Sequence, residues 1–480
     1  MKFKIQVVAV SDDGLEQTRE IASLERDDLQ PETLGLTLAE SKAILKDLQE
    51  IVVQRQATDF IASQRCCPVC GRVRKLKGYH TLKLRTVFGK LEVKSPRLHH
   101  CDCRPQPTRT YSPLGESLPE HTTPELLFLE TKWAALVSYG LTAKLHEDVL
   151  PMDEPLNAFT IRRHVFEIAE RMENTLGEEQ VSFIESCPRD RNSLPLPDGP
   201  LAVGIDGGFV RGRRKEGNFE VIVGKSILSF RRDQEEEEQT GKCFAFVQTF
   251  DTKPKRRLFE LLKSQGMQMN QQITFLSDGG EDVRNLQLYL SPEAEHILDW
   301  FHLTMRITVL KQTAKGMPIK AGEDDEEREL RETAPKLIES VKWYLWHGNV
   351  FQALEQLESL SMDLESADFE SPSETTRKLL QAINEFHSYI ERNRAFIPNY
   401  GERYRNGERI GTGFVESAVN QVMSKRMAKK QQMQWSRRGA HLLLQVRTEV
   451  LNEDLEECFR AWYPGFRPRP QKAAAGPPGI

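Results

Sequence analysis

With 480 residues, 39% of them hydrophobic and 29% charged, the chain has room for two to four soluble domains. No run of eighteen apolar residues occurs, so no membrane-spanning helix is predicted, and the apolar stretch at the N-terminus is too short for a signal peptide. A net charge of −5 excludes a uniformly basic nucleic-acid binder.

Residues 1–64 read as a strand followed by helix. Thr37–Ala62 carries apolar residues at helical spacing, and Thr37 with Glu40 forms a predicted capping box. The segment reads as a packing or dimerising helix without chemistry. Residues 65–110 differ. Cys66-Cys67-Pro68-Val69-Cys70-Gly71 is followed by Cys101-Asp102-Cys103, and Thr81–Arg97 between them alternates like a hairpin turning at Gly89. Five of the eight cysteines lie here, which favours metal over a disulfide framework and a reducing compartment, the cytosol or nucleoid. The pattern resembles a zinc ribbon. Cys67, Cys70, Cys101 and Cys103 are the expected ligands of a structural Zn²⁺, because four sulfurs leave no open position.

The charge is unevenly spread. Arg65–Arg109 holds twelve Lys/Arg against Glu92 and Asp102, and Ser417–Thr448 holds seven with no acid. Phosphates respond to such local faces and not to net charge, so nucleic acid is the leading partner. Arg72, Arg74, Lys75 and Lys77 put the ribbon itself on phosphate. Residues 111–186 read as short helices, Leu126–Tyr139, then Thr142–Leu150 after a turn at Gly140-Leu141-Thr142, then one opening at Phe159. Arg162 and Arg163 near the start of the last fit a helix-turn-helix, although a small bundle has the same pattern. Residues 187–200, rich in proline, form a predicted linker.

From Leu201 the chain becomes strand-rich. Leu201–Gly208 (L-A-V-G-I-D-G-G) is a buried strand that delivers Asp206, and Gln272–Gly280 (Q-I-T-F-L-S-D-G-G) repeats the arrangement with Asp278. Gly207 and Gly208 leave backbone open to a substrate. Phe219–Ile227 and Cys243–Asp251 are strand-like, with an acidic loop at Glu235–Glu238 between them. Helix Arg256–Gly266, strand Ile273–Asp278, helix Glu281–Leu290 and strand Ile297–Trp300 follow. Three strands, then helix, strand, helix and strand, is the order of an RNase H-like α/β fold. The core is expected over 201–317 and 401–466, interrupted by an all-α insertion at 318–400, with a disordered tail at 467–480.

A carboxylate at a strand end needs a positive neighbour, usually a metal ion. Asp206 and Asp278 need a third acid to hold two divalent ions. Glu416, on the first turn of a helix entered through Gly411-Thr412-Gly413, is the candidate. Mg²⁺ prefers such hard oxygen ligands, and a pair of ions can drive phosphodiester cleavage without a Ser, Cys or Tyr nucleophile.

G-I-D-G-G at Asp206, L-S-D-G-G at Asp278, L-D-W-F-H at Asp299–His302 and E-S-A-V-N at Glu416 together resemble the DDE transposases of bacterial insertion sequences. Lys425-Arg426-Met427 and Gln434–His441 (Q-W-S-R-R-G-A-H) resemble the C-terminal block of the ISKra group, which is related to the mutator-like transposases. The similarity runs from about 200 to 452 and includes the helical insertion. It implies a Mg²⁺-dependent recombinase with Asp206, Asp278 and Glu416 as catalytic ligands. Such an enzyme binds the terminal inverted repeats of double-stranded DNA, nicks their 3′ ends and joins them to target DNA as a multimer. Asp299 and His302 match an auxiliary D-x-x-H element, with a core histidine as the other reading of His302. Lys425, Arg426, Trp435, Arg437 and Arg438 are the expected C-terminal DNA contacts, Trp435 as a base-stacking platform or else as a core tryptophan. The alternative function is a decayed or domesticated copy that binds DNA without cutting.

Overall fold

A computed structural model describes the chain outside residues 11–13, 104–107, 153–155, 181–188, 191–192, 196, 198–200, 214–215, 229–240, 281–293, 320–324, 367–372, 429–432 and 469–480. It divides into two units, Met1–Ala169 with Glu453–Ile480, and Glu170–Asn452. Both mix helix and strand. No described helix is long and apolar enough to cross a membrane.

In the first unit, β1 (Lys2–Val10) and β2 (Glu16–Glu25) pair antiparallel. Helix α1 (Leu38–Ser63) begins at the capping box: Glu40 N donates to Thr37 Oγ1 (3.2 Å), and Thr37 N donates to the Glu40 carboxylate (2.9 Å). Hydrogen bonds from Arg26 and then from Thr37 hold the Glu40 pKa down to about 2. Ala57 on the inner face of α1 packs on Leu82 and Val93. Those residues belong to a sheet of β3 (Leu76–Thr86), β4 (Gly89–His99) and β5 (Thr110–Tyr111). The hairpin expected between the cysteine pairs is therefore present, and Thr86 pairs with Gly89 at its tip.

Helices α2 (Pro113–Ser117), α3 (Pro124–Leu136), α4 (Tyr139–Val149) and α5 (Ala158–Thr175) follow. The turn expected at Gly140-Leu141-Thr142 lies earlier, at Val137-Ser138. Ser138 Oγ accepts from Leu141 N (3.3 Å) and so starts a helix there. Glu130 of α3 and His164 of α5, both buried, meet at 2.5 Å. The helix Leu455–Trp462 belongs to this unit as well, its Phe459 ring 5.4 Å from that of Phe128. The segment 401–466 thus divides at Asn452.

The second unit is built on one five-stranded sheet of β6 (Leu201–Val210), β7 (Phe219–Ile227), β8 (Lys242–Val247), β9 (Ile273–Ser277) and β10 (Glu295–Leu298). The spatial order is β10-β9-β6-β7-β8. The first three strands are antiparallel neighbours, and β9 and β10 run parallel to β6. Alternation along β6 separates two cores. Leu201, Val203 and Ile205 pack with Leu258 and Leu262 of α6 (Pro254–Ser264). Ala202 turns to the other face, whose apolar core continues into α7 (Trp300–Lys315), α8 (Asp325–Trp346), α9 (Val350–Ser366) and α10 (Glu374–Asn393). Of the eight apolar residues that the sequence places at core spacing in this insertion, Val341, Leu345, Leu379, Ile383, Phe386 and Ile390 are buried there, whereas Leu337 and Tyr344 are only partly buried against them.

After α11 (Tyr400–Arg405) come α12 (Gly413–Val419), a π-helical stretch Asn420–Ala428, and α13 (Arg437–Leu451). The long helix expected to run through Met427 therefore widens at Asn420. A π-helix misaligns backbone carbonyls, and buried Arg447 satisfies two of them, donating to Val422 O (2.7 Å) and Gln421 O (3.2 Å). The expected Glu235–Glu238 loop, helix Glu281–Leu290, nearly all of the 467–480 tail and most of the 187–200 linker lie outside the described residues.

Candidate functional site

Carried one or two residues past the last paired positions, strand register in the second unit sets three aspartates in one row. β6 pairs with β9 at a constant offset of 72 residues, Gly204 opposite Leu276, and the same 72 separates Asp206 from Asp278. β9 pairs with β10 at an offset of 21, Ser277 opposite Leu298, and the same 21 separates Asp278 from Asp299. Adjacent strands lie about 4.8 Å apart. The row sits where β9 and β10 end.

Asp206 shares a face of β6 with Gly204 and Gly208. A Cβ at Gly204 would lie 2.0 Å from Val415 Cγ2 and 2.7 Å from Phe414 Cζ, and one at Gly208 would lie 2.4 Å from Met423 Cε. Lack of a side chain at both positions lets α12, which carries Glu416, settle on the strand that carries Asp206. Phe414 and Val415 are buried by this contact, each worth about 1.5–3 kcal/mol. The room expected for substrate at Gly208 is filled by Met423.

The three members of the row live in different surroundings. Asp299 is fully buried, and its carboxylate accepts from Phe301 N (2.9 Å), Thr412 N (3.3 Å), Thr412 Oγ1 (2.6 Å) and His302 Nδ1 (2.5 Å). With its oxygens committed to these donors, it positions the entry of α12 and orients His302. Thr412, read from the sequence only as part of the glycine-flanked helix entry, is the other half of that clamp. Asp206 is half-buried and accepts from Gly207 N (2.8 Å). Desolvation raises its pKa, the Gly207 bond and His302 oppose, and the charges of Asp278 and Asp299 add to the rise. Asp278 is exposed; its Oδ1 accepts from Gly280 N (3.1 Å), and its carbonyl accepts from Tyr389 Oη (2.7 Å).

The His302 pKa is raised, first by its bond to Asp299, against desolvation, and further by the charges of Asp299, Asp206 and Asp278. Nε2 remains as its second polar atom. Glu416 is exposed on the first turn of α12. Among the described residues, the ligand atoms of Asp206, Asp278 and Glu416 do not form a group within 4.8 Å of one another. A pair of ions about 3.5–4 Å apart draws on a wider arc of ligands than one ion does.

In the first unit the four expected cysteines converge. All four sulfurs lie within 4.8 Å of one another, with Cys67 and Cys103 at 3.6 Å and Cys70 and Cys101 at 3.2 Å. Zn–S bonds of about 2.3 Å in a tetrahedron separate sulfurs by about 3.8 Å, so the group can hold a structural zinc. Backbone N–H groups of Cys70 and Val69 bring the Cys67 thiol down to about 6, whereas hydrogen bonds with Cys101 and Cys67 push Cys103 up to about 12. Cys66 is exposed and stands outside the group, which resolves the choice between the two adjacent cysteines. Of the surrounding basic residues, Arg74 is turned inward, donating to Gln64 O (2.9 Å) and to Tyr111 Oη.

A second group in the other unit, Glu173, Asp251 and His441, also brings ligand atoms within 4.8 Å. Arg257 already neutralises both carboxylates there, at 3.0 Å from Glu173 and 3.1 Å from Asp251.

The residues expected on DNA separate into two sets. Arg426 is fully buried over the ring of Trp435 (5.4 Å), and Trp435 is itself buried, pairing its backbone with Arg211 and Arg213. Arg437 donates to Glu216 O (2.9 Å). Packing accounts for these three. Arg162 lies over Phe166 (4.8 Å), Arg163 pairs with Glu167 (3.5 Å) and Arg438 with Glu170. Arg163, Lys425 and Arg438 are exposed. No family model matches the chain, and no curated protein matches it in sequence.

Proposed function

We propose that the chain is a DDE transposase that binds the terminal inverted repeats of an insertion sequence, nicks DNA at the element ends and transfers the strands to target DNA. The observation that carries the reading is the register row of Asp206 and Asp278, on the face of β6 that receives the Glu416 helix. The sheet order, third-second-first strand followed by fourth and fifth running parallel to the first, supports an RNase H-like core. The helical segment inserted between β10 and α12 agrees with it.

Asp206, Asp278 and Glu416 are the residues that would hold two Mg²⁺ ions. Bound Mg²⁺ supplies an activated water or 3′-hydroxyl and stabilisation of the leaving oxygen. Asp299 holds the Glu416 helix through Thr412 and orients His302, whose pKa its bond to Asp299 and the nearby carboxylates raise. The cysteine group, with zinc, would shape a DNA-reading module in the first unit, and Arg163, Lys425 and Arg438 would meet phosphates. The place of action is the bacterial cytoplasm, at the nucleoid, with a multimer bringing two ends together.

The test is Mg²⁺-dependent cleavage of supercoiled plasmid carrying the element's own ends, comparing wild type with Asp278→Ala. Nicking at the ends by wild type, lost in the variant while DNA binding persists, is the expected result. Binding without cleavage by either protein points to the decayed, binding-only alternative. Cleavage that survives the substitution means that other acids do the work.

A further inference from the structure

Beside Asp278, helices α7 and α10 of the second unit leave a cleft of 590 Å³, lined among others by Arg306, Asn384, Ser388, Tyr389 and Arg392. The lining follows from helical spacing. Arg306 lies one turn beyond His302 on α7, and Asn384, Ser388 and Arg392 recur at four-residue intervals along α10. The Tyr389 hydroxyl donates to the Asp278 carbonyl at 2.7 Å, which holds α10 against the loop that ends β9. The same ring lies under the Arg306 guanidinium, 4.1 Å from its carbon to the ring centroid.

Two guanidinium groups, balanced in number by the carboxylates of Asp278 and Glu385, give this cleft paired donors for an anion. Arg306 and Arg392 are both exposed, and among the described residues neither pairs with a carboxylate. Glu385, the other acid of the lining besides Asp278, accepts from Gln381 at 2.9 Å. Guanidinium groups bind phosphate oxygens through paired N–H donors, and the amide and hydroxyl groups of Asn384 and Ser388 suit phosphate and sugar. A volume in the range of small-molecule sites, about 300–1,000 Å³, admits a nucleotide or two of single strand.

We infer that this cleft holds a phosphate of the single DNA strand that runs out from the carboxylates, with Arg306 and Arg392 as its ligands. Tyr389 is a positioning residue, fixing Arg306 through its ring and the Asp278 loop through its hydroxyl. The inference rests on the transposase reading for the identity of the anion as DNA.

The experiment measures binding of a fluorescein-labelled oligothymidylate of about ten nucleotides to the full chain by fluorescence anisotropy, without added Mg²⁺ and without chelator, so that nothing is cut and the cysteine group keeps its zinc. Arg306→Gln and Arg392→Gln are each expected to weaken binding roughly tenfold and to flatten the salt dependence by about 0.7 in log–log slope. Arg377→Gln, exposed on the same helix but outside the cleft lining, is expected to bind like wild type. Because a Gln variant could lose fold, melting temperatures are compared, and Arg306→Lys, which keeps the charge without the flat guanidinium, is expected to fall between wild type and Arg306→Gln. Wild-type affinity and slope in both Gln variants overturn the inference, as does an equal loss in Arg377→Gln. The two readings fail separately. Arginine-dependent binding with no cleavage by wild type under Mg²⁺ sinks the transposase and leaves the cleft, whereas end-specific cleavage with arginine-independent binding does the reverse.

Discussion

The cysteine group of the first unit and the aspartate row of the second are both candidate metal sites, assembled in opposite ways. Four sulfurs within 4.8 Å come from two short knuckles joined by one hairpin, so nearly all of the geometry is local. The carboxylates come from strands and a helix up to 210 residues apart, Asp206 to Glu416, and their ligand atoms do not close on a single point. Soft sulfur ligands close tetrahedrally on a single Zn²⁺, whereas hard carboxylates that serve two ions are set further apart by the scaffold. A closed sulfur site therefore stabilises its fold, and an open oxygen site depends on its fold for support.

The largest expected effect tests that contrast directly. Cys70→Ser with Cys101→Ser should abolish one equivalent of bound zinc, measured by elemental analysis, and remove on the order of 10 kcal/mol of metal-linked stability from the first unit. Cys66→Ser should keep the zinc. Equal metal content in all three proteins would break the comparison on the sulfur side.

Asp299→Ala sharpens the other side. The substitution leaves the two Thr412 donors and His302 without their acceptor, at an expected cost of about 3–5 kcal/mol, read as a drop in the melting temperature of the second unit. Because the clamp sets where α12 begins, Mg²⁺-dependent cleavage should fall with it, and Thr412→Val should reproduce part of both losses. A variant as stable as wild type would mean that α12 is held by Phe414 and Val415 alone.

The smallest effect concerns acid. His146 is fully buried in α4 against the ring of Trp133 (4.5 Å), and desolvation lowers its pKa from 6.5 to about 4. Between those values the unfolded chain binds the proton and the folded one does not, so stability is lost as pH falls through that window, by about 3 kcal/mol. His146→Leu should flatten this loss in thermal melts taken from pH 7 to 4. Zinc release on acidification affects both proteins alike, so their difference isolates the histidine.

Much of the site was legible in the sequence because its signals are short and periodic. The capping box at Thr37, the cysteine knuckles and the two strand-end D-G-G repeats each lie within a few residues, and each constrains local geometry by itself. The 72-residue spacing of Asp206 and Asp278 was visible too, but nothing in the chain declares it to be a pairing register; only the parallel ladder of β6 and β9 gives it that meaning. The turn before α4 was misplaced because Ser138 capping outweighs the turn tendency of Gly140.

Tertiary structure alone decided which polar residues face outward. Arg426 and Trp435 read from the sequence as DNA contacts, Trp435 with a core tryptophan as its other reading, and Asp299 as an auxiliary acid; each is buried, because an indole, a guanidinium and a carboxylate can all be taken out of water once partners are supplied. Those partners lie far along the chain: Asp299 meets Thr412, 113 residues later. The sequence by itself determined the local elements, the cysteine ligands and the two strand-end acids, since these depend on backbone propensity and short spacing. The helix that covers β6, the filled space at Gly208 and the arginine-lined cleft depend on which faces pack together, a choice made by the summed burial of residues distant in the chain.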